Sequence, residues 1–222
     1  MPLVIHTSQV SDGSMKQLAK SEIEPVRDNK RKFLSKHGIK LEDSTFVCLE
    51  YEGDDYCRYV DCDETYKGDG MSRPSSIIVD AVVTTTPGHA LFLPVADCIA
   101  AVLHDPVTNT LMMSHLGRHN IEQFGGTKSV EYLTEHHSVD PKNIKVWLSP
   151  AAGKESYPLF AFDNQSLHEV ASQQIAKAGV PLENIDVSPI RTTTDDNYFS
   201  HSEFLKGNRP SDGRFAIVAV MT

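Results

Sequence analysis

The sequence predicts an α+β fold, a layered α/β/α sandwich with mixed β-sheets, formed by a single domain over residues 1–222. Short apolar runs rich in β-branched and aromatic residues cluster between residues 77 and 114, and such runs are typical of buried strands. Helical patterns flank this cluster without alternating strictly with the strands, which argues against a doubly wound sheet. An apolar content of 40% is enough to bury a substantial core.

The N-terminal third is predicted to contain an edge strand, one helix and two further strands. The edge strand is placed at residues 3–5. The helix is placed at 14–38, where apolar side chains recur on one face and Gly38 serves as C-cap. The strands are placed at 45–49 and 56–60.

The rest of the chain is predicted to form the sheet core and two more helices. Residues 61–74 are acidic and contain few apolar side chains, so we expect a solvated loop, with a lid over a site as the alternative. Beyond it, Pro-Gly and Asp-Pro signals separate the elements. Strands are predicted at 77–85, 91–95, 99–103, 110–114, 144–148, 185–188 and 213–220, and helices at 120–137 and 165–178.

Charge and hydropathy exclude several classes of partner. The chain has 21 Lys and Arg against 30 Asp and Glu, whereas binding to a phosphate backbone needs a basic surplus, so no nucleic-acid partner is expected. The apolar runs fall short of the roughly 20 residues that span a bilayer, and no basic segment precedes a long apolar one at the N-terminus. The four cysteines form no CxxC pair or disulfide pattern. We expect a cytoplasmic protein that acts on a small molecule and has no membrane partner.

Cys98 and His115 are the first candidates for a metal site. Cys98 follows Asp97 between two predicted strands and His115 ends the next strand, so the two side chains can be neighbours. Thiolate sulfur and imidazole nitrogen are preferred zinc ligands, and a catalytic zinc takes three protein ligands, for which Glu52 is the third candidate. Such a site makes hydroxide available at neutral pH. An inert core thiol and a nucleophile without metal are the alternatives for Cys98.

A series of short motifs runs through the chain in a characteristic order. They are Asp80-Ala81-Val82-Val83-Thr84-Thr85-Thr86-Pro87-Gly88, Ala96-Asp97-Cys98, Asp105-Pro106, Trp147-Leu148-Ser149-Pro150-Ala151-Ala152-Gly153, Gln174 with Ala178-Gly179-Val180, and Gly213-Arg214. Over about residues 45–219 the series resembles the YfiH family, also called the laccase-domain or multicopper polyphenol oxidoreductase family. The family patterns are D-A-L-V-T-x-x-P-G, T-A-D-C, D-P, W-L-G-P-A-I-G, Q-L-x-x-A-G-V and T-G-R. The resemblance implies a YfiH-like fold.

The resemblance also implies a zinc site and purine nucleoside chemistry. Family members bind zinc through the histidine of Q-V-H-G, the T-A-D-C cysteine and the first histidine of H-A-G-W-R-G, and they resemble enzymes that phosphorolyse or deaminate purine nucleosides. Cys98 and His115 match two of these ligands, and Glu52 replaces the Q-V-H-G histidine. A carboxylate is an acceptable zinc ligand. Asp97 is either a catalytic base beside Cys98 or a structural hydrogen-bond acceptor.

Two stretches depart from the family pattern. The stretch after His115 loses the W-R-G order, so Arg118 is a catalytic candidate and His119 a substrate-binding candidate in place of the missing arginine. Where the family has F-F-S-Y-R-R, the chain has Tyr198-Phe199-Ser200-His201-Ser202-Glu203. Both arginines are absent, and the carboxylate of Glu203 is expected to repel an anion. His201 is a further substrate-binding candidate.

These departures rank the activities implied by the resemblance. Phosphorolysis needs a cationic pocket for phosphate, to which the arginine fork is suited, so the residues favour adenosine deamination or another hydrolysis. The first hypothesis is therefore a zinc-dependent enzyme acting on purine nucleosides. The alternative is a catalytically degenerate relative that binds metal or a small ligand without turnover. Polyphenol oxidation ranks third and copper is the less favoured cofactor, because several copper centres would be needed and the ten histidines include no HxH pair.

Overall fold

Two mixed β-sheets lie face to face at the centre of the protein. The computed structural model describes residues 1–16, 24–50 and 53–222. Within these ranges the strands are β1 (Leu3–Thr7), β2 (Ser44–Phe46), β3 (Tyr59–Asp61), β4 (Ala81–Thr84), β5 (Ala90–Val95), β6 (Ile99–Asp105), β7 (Thr110–Leu116), β8 (Lys145–Leu148), β9 (Ile185–Val187) and β10 (Phe215–Met221). The helices are α1 (Glu24–Ser35), α2 (Arg118–Glu122), α3 (Gly125–His137), α4 (Leu167–Lys177) and α5 (His201–Leu205).

Each sheet combines parallel and antiparallel pairs. The first sheet has the order β1-β10-β5-β2, and the second has the order β3-β4-β7-β6-β8-β9. In the first, β5 is antiparallel to β10 and parallel to β2. In the second, β6 is antiparallel to both β7 and β8. The predicted α+β class with mixed sheets is confirmed.

The alternation of side chains along the strands divides the core into layers. Val102 of β6 packs between the two sheets, whereas its neighbour Leu103 belongs to the cluster formed with α3 and α4. On the outer face of the first sheet, Phe92 packs with Phe33 and Leu34 of α1. The order of layers is therefore α1, first sheet, second sheet, α3 with α4, so the predicted sandwich contains two sheet layers.

The ends of the predicted helices differ most from the structure. In the helix predicted over 14–38, residues 14–16 are not helical, residues 17–23 lie outside the described residues, and α1 runs from Glu24 to Ser35. The single helix predicted over 120–137 is two helices, because Phe124 adopts a left-handed conformation with φ 62° and separates α2 from α3. In the part of the chain that the structure describes, no helix is long and apolar enough to cross a bilayer.

His89 joins the two sheets through hydrogen bonds. Its burial leads us to expect a loss of stability at acidic pH. It lies fully buried just before β5, with Nε2 2.7 Å from Thr45 Oγ1 of β2 and Nδ1 3.3 Å from Thr84 Oγ1 of β4. Burial, aided by Lys67, lowers the pKa of His89 from 6.5 to about 4. The unfolded chain therefore takes up a proton first as the pH falls, so the contribution of neutral His89 is lost between about pH 6.5 and 4, up to about 3 kcal/mol.

The measurement is urea unfolding between pH 7 and 4 for wild type and His89→Gln. Glutamine can keep a hydrogen bond to a threonine hydroxyl but cannot titrate, so the variant should lose less unfolding free energy than wild type over this range. His136→Gln, at an exposed position of α3, is the control and should keep the wild-type slope. Equal slopes for wild type and His89→Gln would contradict the assignment.

Candidate functional site

A cavity of about 400 Å³ is bounded by the turn between β5 and β6, the residues that follow β7 and the start of α5. The predicted site residues that line it are Asp97, Cys98, His115, Arg118, His119 and His201. Residues 61–74 are all described and none of them lines the cavity, so the loop they form is not a lid over it in this structure.

Sheet pairing brings Cys98 and His115 together. His115 lies opposite Ala100 in the antiparallel pair of β6 and β7, and Cys98 precedes β6 by one residue. A Cβ atom built on Gly117 would lie 2.9 Å from Cys98 Sγ and 2.9 Å from His115 Cε1. The two side chains therefore converge on one point at the cavity wall, as predicted, and Gly117 leaves that point open.

The surroundings of this pair keep both groups neutral in the absence of a cation. Burial, together with the carboxylate of Asp97, raises the pKa of the Cys98 thiol to about 12. A protonated thiol is a poor nucleophile, which argues against a nucleophilic role without metal. Burial also lowers the pKa of His115 to about 4, against the opposing effects of Asp80 and Asn120. The neutral imidazole is the form that binds metals.

The donor pair fits a metal ion as two of its ligands. Sulfur and imidazole nitrogen are the donors that zinc prefers, and they lie side by side in a partly enclosed cavity. The predicted third ligand, Glu52, lies outside the described residues. Among the residues that are described, no group of three or more His, Cys, Asp or Glu side chains is arranged to hold a metal. Glu50 and Tyr56, which precede and follow Glu52 in the sequence, both line the cavity.

Asp97 holds the turn that carries Cys98. Its backbone has φ 74°, a left-handed conformation that Asp tolerates better than most residues. One carboxylate oxygen accepts a hydrogen bond from Thr192 Oγ1 at 2.7 Å, and the other accepts one from the N–H of Ser202 at 2.7 Å. These bonds give the carboxylate a structural role, and its role as catalytic base stays a prediction.

Arg118 and His119 stand at the start of α2 with their side chains exposed. Arg118 makes no hydrogen bond or ion pair with another described side chain, so its five donors are available to a ligand in the cavity. The ring of His119 stacks on that of Tyr56, with centroids 4.7 Å apart and planes 20° apart. Both positions agree with contact to a bound ligand, which stays a prediction for each residue.

A second cationic group was not predicted for the site: the Arg214 side chain, which also lines the cavity. Its Nη1 donates to Asp212 Oδ1 at 2.7 Å and to the carbonyl oxygen of Gly213 at 2.7 Å. The same Asp212 oxygen is 3.0 Å from His201 Nδ1. In the sequence, the signal for Arg214 as a site residue was its place after Gly213 in the G-R motif.

The expectation that Glu203 repels an anion in the site is wrong. Its carboxylate does not line the cavity but accepts hydrogen bonds from Lys206 Nζ at 2.8 Å and Asn208 Nδ2 at 2.7 Å. These two hydrogen bonds lower the pKa of Glu203. Its charge is therefore compensated on the far side of α5, and the sequence argument against an anion loses one of its two premises.

Asp80 is a buried member of the site that the sequence did not single out. One carboxylate oxygen accepts from Arg58 Nε at 2.9 Å, the other is 3.3 Å from Asn120 Nδ2, and its carbonyl oxygen accepts the N–H of His115 at 2.8 Å. Arg58 also contacts the carboxylate of Glu50 at 3.3 Å. The carboxylates of Asp80 and Glu50 are thus paired, whereas Arg118 in the same cavity has unused donors.

Sequence comparisons relate the chain to a family and to curated relatives. The family profile described as multi-copper polyphenol oxidoreductase laccase matches residues 15–166. Purine nucleoside phosphorylases of Mycobacterium tuberculosis and Mycobacterium bovis are 26% identical to this chain over a segment that covers 64% of it and 62% of each relative. The chain therefore spans less than two thirds of the length of these relatives.

Structural comparisons show the same fold in three solved proteins. The hypothetical protein YfiH of Bacillus licheniformis has a TM-score of 0.84 at 19% identity and covers 99% of this chain and 93% of its own. YlmD of Geobacillus stearothermophilus has a TM-score of 0.80 at 21% identity, with 94% and 84% covered. A Neisseria meningitidis protein has a TM-score of 0.70 at 16% identity, with 94% and 86% covered.

Proposed function

Because the chain belongs to the multi-copper polyphenol oxidoreductase laccase family and resembles proteins named purine nucleoside phosphorylases, we propose that it is a metal-dependent enzyme of purine nucleosides. The observation that carries the proposal is one cavity with two different corners. Cys98 and His115 form a corner of metal-binding donors, and Arg118 and Arg214 provide cationic groups in the same cavity. A nucleoside and a small anion are ligands that such a cavity suits.

Zinc is the metal that we propose for the first corner. Cys98 Sγ and His115 would hold it together with Glu52 as the third ligand, and copper is less suited because the donors include a carboxylate and a single histidine. A bound zinc ion supplies a Lewis acid and an activated water at neutral pH. The cavity wall supplies the rest of the chemistry.

Phosphorolysis is the reaction that these residues support best. Arg118, whose donors are unused, and Arg214, held by Asp212, can bind phosphate oxygens in the cavity. In phosphorolysis a phosphate oxygen bonds to the ribose C1′ as the bond from C1′ to the purine breaks, and the departing base takes up a proton. His119 and His201, in their protonated imidazolium form, are the cavity groups that can deliver this proton to the purine ring. This order reverses the ranking from the sequence, which rested on the absence of both arginines of the F-F-S-Y-R-R pattern.

Adenosine deamination is the second candidate, supported by the buried Cys98 and His115 pair itself. A site that holds zinc and water can replace an exocyclic amine without any phosphate. In that reaction Arg118 and Arg214 would contact the ribose instead of a reacting anion.

Assays of adenosine and inosine with and without phosphate separate the two reactions. We expect release of free base and ribose 1-phosphate that depends on phosphate. If ammonia were released from adenosine at the same rate with and without phosphate, the reaction would be deamination and not phosphorolysis. No turnover by a protein loaded with zinc would support the catalytically degenerate alternative, and oxidation of a phenol with copper present would revive the polyphenol oxidase hypothesis.

Arg118→Ala is expected to raise KM for phosphate by about 10-fold or more. Hydrogen bonds to a charged group contribute about 1.5–3 kcal/mol, and 1.4 kcal/mol corresponds to a factor of 10. The measurement is initial rate against phosphate concentration at saturating nucleoside. Arg31→Ala on α1, whose side chain pairs with Asp28 far along the chain from the cavity residues, is the matched control. An unchanged KM for phosphate in Arg118→Ala would remove Arg118 from the anion site.

A further inference from the structure

Asp212 collects three donors on one carboxylate beside the cavity. Its Oδ2 lies 2.6 Å from Lys16 Nζ, and its Oδ1 lies 2.7 Å from Arg214 Nη1 and 3.0 Å from His201 Nδ1. Partial burial alone would raise the pKa of Asp212, but the hydrogen bonds from Lys16, Arg214 and His201 lower it well below its ordinary value. The carboxylate is therefore ionised and can only accept hydrogen bonds.

This arrangement determines which nitrogen of His201 carries the proton in the neutral ring. Because the Asp212 oxygen is an acceptor, Nδ1 of His201 must be the donor, and Nε2 is then the nitrogen left for other contacts. His201 lines the cavity, and its side chain is 44% exposed. The pair has the form of an imidazole oriented by a carboxylate.

Two neighbouring contacts position the segments that carry Asp212 and His201. A Cβ on Gly213 would lie 2.3 Å from Phe199 Cε1, so only glycine lets the segment with Asp212 approach the chain two residues before His201. At the start of α5, the N–H of Ser202 donates to Asp97 Oδ2 at 2.7 Å. His201 is thus anchored both through Asp212 and through the turn that carries Cys98.

Arg214 is oriented by the same carboxylate. The contacts of its side chain with Asp212 and the Gly213 carbonyl both involve Nη1, so the Nε and Nη2 donors keep no partner among the described residues. The side chain is 21% exposed and lines the cavity. The F-F-S-Y-R-R pattern of the family has tyrosine at the position of His201, and the T-G-R pattern has threonine at the position of Asp212. Both members of the pair therefore differ from the family pattern.

We propose that Asp212 is a positioning residue that presents Nε2 of His201 and the free donors of Arg214 to the substrate. The proposal rests on the nucleoside reaction inferred above for its effect on rate, but its geometric part does not. Lys16 provides the matched control, because it contacts the same carboxylate and does not line the cavity. If Asp212 only formed a structural ion pair, Lys16→Ala and Asp212→Asn would have the same effect on the His201 tautomer and on kcat.

The first test is the tautomer of His201 in the full chain, read from two-bond proton–nitrogen NMR spectra of protein labelled with ¹⁵N-histidine. A His201→Gln sample assigns the signal. We expect the proton on Nδ1 in wild type and in Lys16→Ala, and a shift towards the Nε2-protonated form in Asp212→Asn. A proton on Nε2 in wild type, or no change in Asp212→Asn, would overturn the proposal whatever the activity.

The second test is kinetic. Asp212→Asn is expected to lower kcat by about 10-fold or more, while Lys16→Ala stays close to wild type. Equal losses in the two variants would overturn the proposal. If Asp212→Asn does not fold, Asp212→Glu, which keeps the charge but moves it, should show the same difference from Lys16→Ala. A wild-type protein without nucleoside turnover would refute the proposed function, and the tautomer measurement would then decide the positioning role by itself.

Discussion

Cys98→Ala and His115→Ala are expected to lose bound zinc and to lower nucleoside turnover by at least about 100-fold. Changes in residues that only support metal ligands already cost about 10- to 100-fold in affinity or activity, so the loss of a ligand should cost no less. The two side chains meet at one point of the cavity wall, so removing either leaves a single described donor there. The measurement is zinc per chain by elemental analysis after dialysis, together with kcat.

The chain offers a matched control for each of these variants. His104 on β6 is as buried as His115, each 4% exposed, but does not line the cavity. Cys62 is buried between the sheets, away from the cavity wall. His104→Ala and Cys62→Ala should cost stability and keep zinc. Wild type that takes up no zinc, or Cys98→Ala that retains it, would show that the corner is not a metal site.

Glu52→Gln completes this prediction. We propose Glu52 as third ligand, so its amide variant should bind zinc at least about 10-fold more weakly, with the loss largest at low zinc concentration. Glu50→Gln is the control, because Glu50 contacts Arg58 at 3.3 Å and is not proposed as a ligand. Equal zinc affinity of Glu52→Gln and wild type would remove Glu52 from the ligand set.

Gly117→Ala is expected to lower zinc binding and turnover by about 100-fold while the protein stays folded. The added methyl group would lie 2.9 Å from both Cys98 Sγ and His115 Cε1, closer than such atoms approach in real proteins, so the two donors must separate. Displacing reacting groups by about 1 Å can cost about 100-fold in rate. Overpacking of this kind costs about 1–3 kcal/mol in unfolding free energy. Zinc content, kcat and thermal unfolding are measured together.

Gly207→Ala separates this effect from strain in the backbone. Gly207 has φ 80° and nothing within 4 Å of an added Cβ, so alanine there is strained without contacting the site. It should lower stability and leave zinc binding unchanged. Full zinc binding and turnover in Gly117→Ala would mean that Cys98 and His115 do not act at the point where they converge.

The strands around the site could be predicted because they are buried on both faces. The apolar runs that form β5, β6 and β7 lie between two packed layers, so their sequences show the strand pattern without help from distant residues. Helix α5 could not be predicted in the same way. It has five residues, and its start is held by the Ser200 side chain and by Asp97, 105 positions away from Ser202.

The break at Phe124 shows a similar limit. The apolar spacing over 120–137 is compatible with one helix. Only the structure shows that Gln123, just before the break, binds the segment that contains Tyr56: its Oε1 accepts a hydrogen bond from the N–H of Tyr56 at 3.0 Å. That contact depends on a segment 67 residues away. Local propensity is a weak guide where such contacts decide the conformation.

The sequence by itself determined the fold class, the family and the pairing of Cys98 with His115, because strand pairing places residues near a hairpin at known positions. Only the tertiary structure decided the charge of the cavity. It pairs Glu203 with Lys206 outside the cavity and brings Arg214 and Arg118, 96 positions apart in the sequence, to the same cavity. The carboxylate of Asp212, which orients Arg214 two residues later, also binds Lys16, 196 positions away in the sequence, and no local pattern encodes that partner.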